Sequence, residues 1–128
     1  KVVAKIRAVR KRPIVMREKP KNPKIEIDGV IRCPKDQKCK DALRSAWAVV
    51  CKSGNVGADC LLHGIPVYAE VGPGAVYGLK SLAEIDNAEP LAPDARIAAL
   101  SDLAYWQFST QEISAGKLWA HLREEGLI

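Results

Sequence analysis

The sequence predicts a small three-layer α/β domain with a short parallel sheet and two closing helices. Two observations lead to it. Apolar runs at Ile14-Val15-Met16, Trp47 to Cys51 and Pro66 to Glu70 alternate with segments whose apolar residues recur at helical spacing. Strands that are apolar without a polar alternate suit a parallel sheet covered by helices on both faces. The chain also has 128 residues, 48% of them apolar and 27% charged. That is ordinary for one folded domain and excludes wholesale disorder.

The elements follow in order. Val2 to Arg12 carries Val2, Ile6 and Val9 on one face among basic residues, an amphipathic helix that Pro13 ends. Ile14 to Arg17 is a strand, closed by Pro20 and a Lys21-Asn22-Pro23 loop. Lys24 to Ile31 reads either as a small hairpin about Asp28-Gly29 or as a connection with one short strand. Asp36 is placed to cap a helix whose Cys39, Ala42, Leu43 and Ala46 fall at i, i+3, i+4 and i+7. The strand Trp47–Cys51 then runs into Ser53-Gly54-Asn55, where a short helix begins; it reaches His63 and stops at Gly64.

Pro66 to Glu70 is the third strand, and Gly72-Pro73-Gly74 reads as a loop. From Gly78 to Pro93 the pattern is irregular, with one helical turn at Ser81–Ile85. Asp94 to Trp106 is a helix with Ile97, Leu100 and Ala104 on one face. Ser109-Thr110-Gln111-Glu112 is a capping box opening a last helix with Ala115, Leu118, Trp119 and Leu122 on its apolar side. His121 reads as a surface residue, and Trp106 and Trp119 as core packing of the terminal pair. Right-handed crossovers would gather the three strands into one sheet.

Charge and cysteine usage narrow the function classes. Residues 1–25 hold ten of the 20 Lys and Arg but only one of the 15 acids, Glu18. A basic head on an acidic body points to an anionic partner. The apolar run Ala46 to Cys51 is far short of the ~20 residues of a membrane helix, so no membrane span is expected. Cys33, Cys39, Cys51 and Cys60 lack zinc spacing, and no metal is expected; they read as reduced thiols of a cytoplasmic protein. The chain begins at Lys1 and Met16 is its single methionine, which reads as a processed chain or part of a longer one.

The segment from Trp47 to Val67 carries the most chemical information. A strand delivers the chain to Ser53-Gly54-Asn55, and a helix starts there. Helix N-termini present unpaired N–H groups and a positive dipole end, which together favour phosphate. The competing reading makes Ser53 or Asn55 an N-cap and nothing more. Arg17 and Lys19 end the first strand at the carboxyl edge, where ligands of open α/β sheets bind. Glu70, Gly72 and Gly74 follow the third strand and are candidates to line the same cleft.

Three stretches resemble the nucleotide-binding half of GT-B-type glycosyltransferases, in the capsular-polysaccharide-biosynthesis-like group of bacteria and phages. Asp59-Cys60-Leu61-Leu62-His63-Gly64-Ile65-Pro66-Val67 is similar to its acidic-Ala-Leu-Leu-x-Gly-x-Pro-Val pattern. Pro13-Ile14-Val15-Met16-Arg17-Glu18-Lys19-Pro20 is similar to its Pro-Ile-x-x-Arg-x-His-Pro strand end. Tyr105-Trp106-Gln107-Phe108, then Glu112-Ile113, Gly116 and Trp119, resemble its closing helix pair. The resemblance implies a Rossmann-like half-domain over residues 1–128, belonging to a two-domain protein. It implies a nucleotide-diphosphate sugar as donor substrate, held at the diphosphate by Ser53, Gly54 and Asn55 and at the ribose by Asp59, with Arg17 and Lys19 near the phosphates.

Lys19 stands where that family has His. It offers a cation but no proton shuttle near neutral pH. A single half-domain would bind a nucleotide weakly and transfer nothing by itself. It would need a missing N-terminal domain, or self-association, to cover its open side. Two other functions fit the residues: a nucleic-acid-binding module using the basic head, and a degenerate structural half-domain. Aromatics are only 5% and none lies in the first 46 residues, so the basic head lacks a base-stacking platform.

Overall fold

The computed structural model describes residues 2–9, 12–18 and 26–128. Its elements are α1 (Val2–Val9), β1 (Ile14–Met16), β2 (Val30–Arg32), α2 (Cys39–Arg44), β3 (Val49–Cys51), α3 (Val56–His63), β4 (Val67–Ala69), α4 (Pro73–Tyr77), a 3₁₀ helix (Leu82–Asn87), α5 (Pro93–Tyr105), α6 (Thr110–Ser114) and α7 (Lys117–Glu124). The fold is mixed α/β, with parallel strand pairing throughout.

The strands form two pairs. Val49↔Val67 to Cys51↔Ala69 join β3 to β4, with α3 as the crossover between them. Ile14↔Val30 to Met16↔Arg32 join β1 to β2. The single three-stranded sheet expected from β1, β3 and β4 is not formed, because β1 takes its parallel partner from the Lys24–Ile31 segment. Of the two readings of that segment, the one short strand is found; residues 19–25, including Lys19 and the Lys21-Asn22-Pro23 loop, lie outside the described residues.

The core sits beneath β4. Leu43, Cys60, Leu61 and Val67 are buried together, with Val49, Tyr77, Leu100 and Leu103 packed against them. Cys39 and Cys51 pack on Cys60, whose thiol burial pushes up to about 12, with smaller contributions from Cys51, Asp59 and Cys39. A thiol so placed is a small hydrophobe rather than a nucleophile. On α5 the inward positions are Ala99, Leu100 and Leu103, whereas Ile97 is 62% exposed. The inward face shares Leu100 with the expected one but is rotated from it by about a quarter turn.

A polar clamp joins the two strand pairs. The Arg12 guanidinium lies 3.9 Å from the centroid of the Trp47 ring and donates to the Asp86 carbonyl at 3.3 Å. Trp47 Nε1 donates to the Ile85 carbonyl at 3.1 Å. Trp47, expected within a buried strand, therefore precedes β3 and covers the 3₁₀ helix, its exposed face capped by a cation. The Arg12 head charge is spent inside the fold.

Three local expectations need correction. Lys38, not Asp36, is the N-cap of α2, and no side chain caps that helix. Gly72-Pro73-Gly74 opens α4 rather than forming a loop, since Pro73 at the first helical position has the φ a helix needs. The last helix is two. The chain enters the left-handed region at Gly116 (φ 80), whose N–H donates to Ile113 O at 3.0 Å, so α6 stops and α7 restarts.

The capping box is present as read. Glu112 N–H donates to Ser109 Oγ at 3.2 Å, and Ser109 N–H donates to Glu112 Oε2 at 3.0 Å. Those Ser109 bonds, with Lys117 nearby, hold the Glu112 carboxyl below its usual range. A depressed carboxylate contributes stability above its unfolded value and loses it as pH falls through the folded one. Ser109→Ala is expected to cost about 1 kcal/mol at neutral pH. It should also weaken the acid-side fall in stability that Glu112 produces. Thermal unfolding from neutral to acid pH checks this; identical curves for both proteins would remove the cap from the account.

Candidate functional site

The site is built at the carboxyl ends of β3 and β4. Both strands point the same way, so the chain leaves each at the same edge. From β3 it passes through Lys52-Ser53-Gly54-Asn55 into α3; from β4 it passes through Glu70-Val71-Gly72 into α4. The two exits are tied together. The N–H groups of Glu70 and Val71 both donate to the Lys52 carbonyl, at 3.2 and 3.0 Å.

Two glycines give the exits their shape. Gly54 has φ 107 and Gly72 φ 82, a region that other residues seldom enter, and at each a side chain would meet open space. The backbone there is uncovered and free to touch a ligand. Beneath them Gly57 and Gly74 bring α3 and α4 into backbone contact: a Cβ on Gly57 would sit 2.7 Å from Gly74 N and 3.0 Å from Gly74 Cα. Gly74 thus sets the spacing of the two helices and does not itself line the cleft. Both residues are buried.

Asn55 occupies the N-cap of α3, yet its side chain makes no capping bond and its backbone is helical. The reading of Asn55 as a structural cap fails at this point. Uncapped first-turn N–H groups are the orphan donors that an anion can satisfy. Ser53, Gly54 and Asn55 are all exposed at this edge. Asp59 is exposed one turn further on, its own N–H bonded to Asn55 O at 2.9 Å. Glu70 is exposed at the end of the second exit.

The structure therefore brings together Ser53, Gly54, Asn55, Asp59, Glu70 and Gly72. Arg17 stands apart from them. It follows β1 on the other strand pair, and its guanidinium donates to the Gln37 carbonyl at 3.4 Å. Sequence reasoning missed Lys52, whose carbonyl joins the two exits, and Gly57. A glycine inside an otherwise helical pattern was the available signal for Gly57.

The two histidines lie elsewhere. His63 is exposed in the last turn of α3, before the left-handed Gly64. His121, expected on the surface, is half-buried among Tyr105, Trp106 and Phe108, with ring centroids 4.5, 4.9 and 5.3 Å away. Trp106 and Trp119, expected in the core, are 42% and 55% exposed. The terminal helices pack around the histidine instead. No helix among the described residues is long and apolar enough to cross a membrane. Compared with known protein families, curated proteins and solved structures, the chain matches none.

Proposed function

We propose that this chain is the nucleotide-sugar-binding half of a GT-B-type glycosyltransferase, a Rossmann-like domain whose other half supplies the acceptor site. The observation that carries the reading is the pair of open glycine turns at neighbouring parallel strand ends, Gly54 and Gly72, held in register by the Gly57–Gly74 contact. Ligands of open α/β sheets bind outside the carboxyl ends of their strands. Two uncovered backbone turns side by side suit the two phosphates of a nucleoside diphosphate, with Ser53 and Asn55 donating beside them. Asp59, one turn along α3, accepts from the ribose hydroxyls. The donor is bound and oriented here, and this half alone transfers nothing.

The experiment is a titration with a nucleoside diphosphate, followed through the backbone amides by NMR. Gly54, Asn55 and Gly72 are expected to shift together and saturate. Shifts confined to residues 2–12 would reject this site in favour of the basic head as an anion surface, the reading in which the chain binds nucleic acid.

A further inference from the structure

A second pocket lies at the opposite end of β4, where α3 stops and the 3₁₀ helix and α5 close over the strand. Its volume is about 130 Å³. Leu61, Val67 and Leu91 supply apolar wall, and Arg96, Glu84 and Glu89 supply charge. A cavity of about 150 Å³ takes the six carbons of a benzene, so this one takes the aliphatic part of a small molecule whose charged ends reach the rim, where Glu84 and Glu89 are exposed.

Arg96, Glu84 and Glu89 are uncommitted among the described residues. The half-buried Arg96 guanidinium covers Gly64, where an added Cβ would strike it, yet it forms no hydrogen bond or ion pair among the described residues. It is not a cap for α3, because Cys60 O and Leu61 O already accept from the N–H groups of Gly64 and Ile65. Glu84 and Glu89 line the same pocket without closing on it. Lys80 is different: its ammonium is tied to the Ala75 and Val76 carbonyls at 2.9 and 2.6 Å. A half-buried arginine and two exposed glutamates thus line one small pocket, unpaired among the described residues.

We propose that this pocket binds a small zwitterion, an α-amino acid with a short aliphatic side chain. Its carboxylate pairs with Arg96 in a charge-assisted bond and its ammonium with Glu84 and Glu89, while the aliphatic part covers Leu61, Val67 and Leu91. Neither charge alone satisfies both walls. This site is independent of the glycine turns at the other end of β4.

The probe is L-valine, titrated by NMR on the amides of Gly64, Gly78 and Leu79, with isovalerate and isobutylamine as comparators lacking one charge each. Saturable shifts are expected for valine, and at least about tenfold weaker binding for each comparator, equal to ~1.4 kcal/mol. Arg96→Gln and the double change Glu84→Gln, Glu89→Gln should each weaken valine to a similar degree. Shifts at Gly54 with a nucleoside diphosphate should be unchanged in all of them. If Arg96→Gln does not fold, the exposed glutamate pair carries the test alone. Isovalerate binding as tightly as valine would overturn the zwitterion, and absence of saturable shifts at these amides would overturn the site.

Discussion

Gly78→Ala is expected to lower stability by about 3 kcal/mol, the largest effect of any single methyl in this fold. The position follows α4 in extended backbone, and its N–H closes that helix on Gly74 O at 3.0 Å. The next N–H, of Leu79, donates to Val67 O at 2.7 Å, binding the returning chain to β4. A Cβ at Gly78 would strike both acceptors, Val67 O and Gly74 O, each a backbone atom with no flexible end to yield. Overpacking commonly costs about 1–3 kcal/mol, and a backbone bond broken in a shielded place adds about 1–3. Against a total near 5–15 kcal/mol, a loss of ~3 should move the thermal midpoint by roughly 10 °C. Gly126→Ala is the control for glycine chemistry away from contact, since nothing lies near its Cβ and only its left-handed backbone resists. A fall at Gly78 no larger than the fall at Gly126 would remove the steric argument.

The same close approaches explain what the sequence conceals. Periodicity found the helices because a buried face imposes a repeat on the residues that form it: Leu43, Leu61 and Leu100 all lie inward. Strand pairing left no such record. Three-residue strands are too short for a repeat to distinguish partners, so the β1–β2 pairing could not be read from Ile14-Val15-Met16 alone. Trp47 misled because an apolar neighbour suggested a longer strand, when its ring is needed under Arg12. Gly116 misled differently: Ala115, Leu118, Trp119 and Leu122 fit one helical face, yet the left-handed glycine splits the element. At the candidate site, Ser53, Gly54 and Asn55 were legible because a polar, glycine-bearing turn between a strand and a helix has few structural uses. Gly74 was assigned to the cleft when its role is to let α3 approach, a distinction that only the packing displays.

Asp59→Asn is expected to weaken nucleoside diphosphate binding by roughly ten- to a hundredfold while leaving the fold intact. Asp59 is exposed in the first turn of α3, where the helix dipole tolerates a carboxylate and no side chain among the described residues bonds to it. In the proposed bound state its oxygens would accept from the ribose hydroxyls. A hydrogen bond to a charged acceptor contributes about 1.5–3 kcal/mol, and loss of about 1.4–2.8 kcal/mol corresponds to that range in affinity. Asparagine keeps the shape and removes the charge; Asp59→Ala should lose at least as much. A merely helix-favouring Asp59 would predict something else, unchanged affinity and a stability loss of only tenths of a kcal/mol. A ligand without ribose hydroxyls separates the two. Calorimetry with a 2′,3′-dideoxynucleoside diphosphate should show weak binding to wild type and no further loss in Asp59→Asn, because the partner of the carboxylate is already gone. If the variant loses affinity for both ligands equally, Asp59 acts through the local field and not through the ribose. If wild type binds both equally well, the sugar contact is wrong even though the phosphates are held.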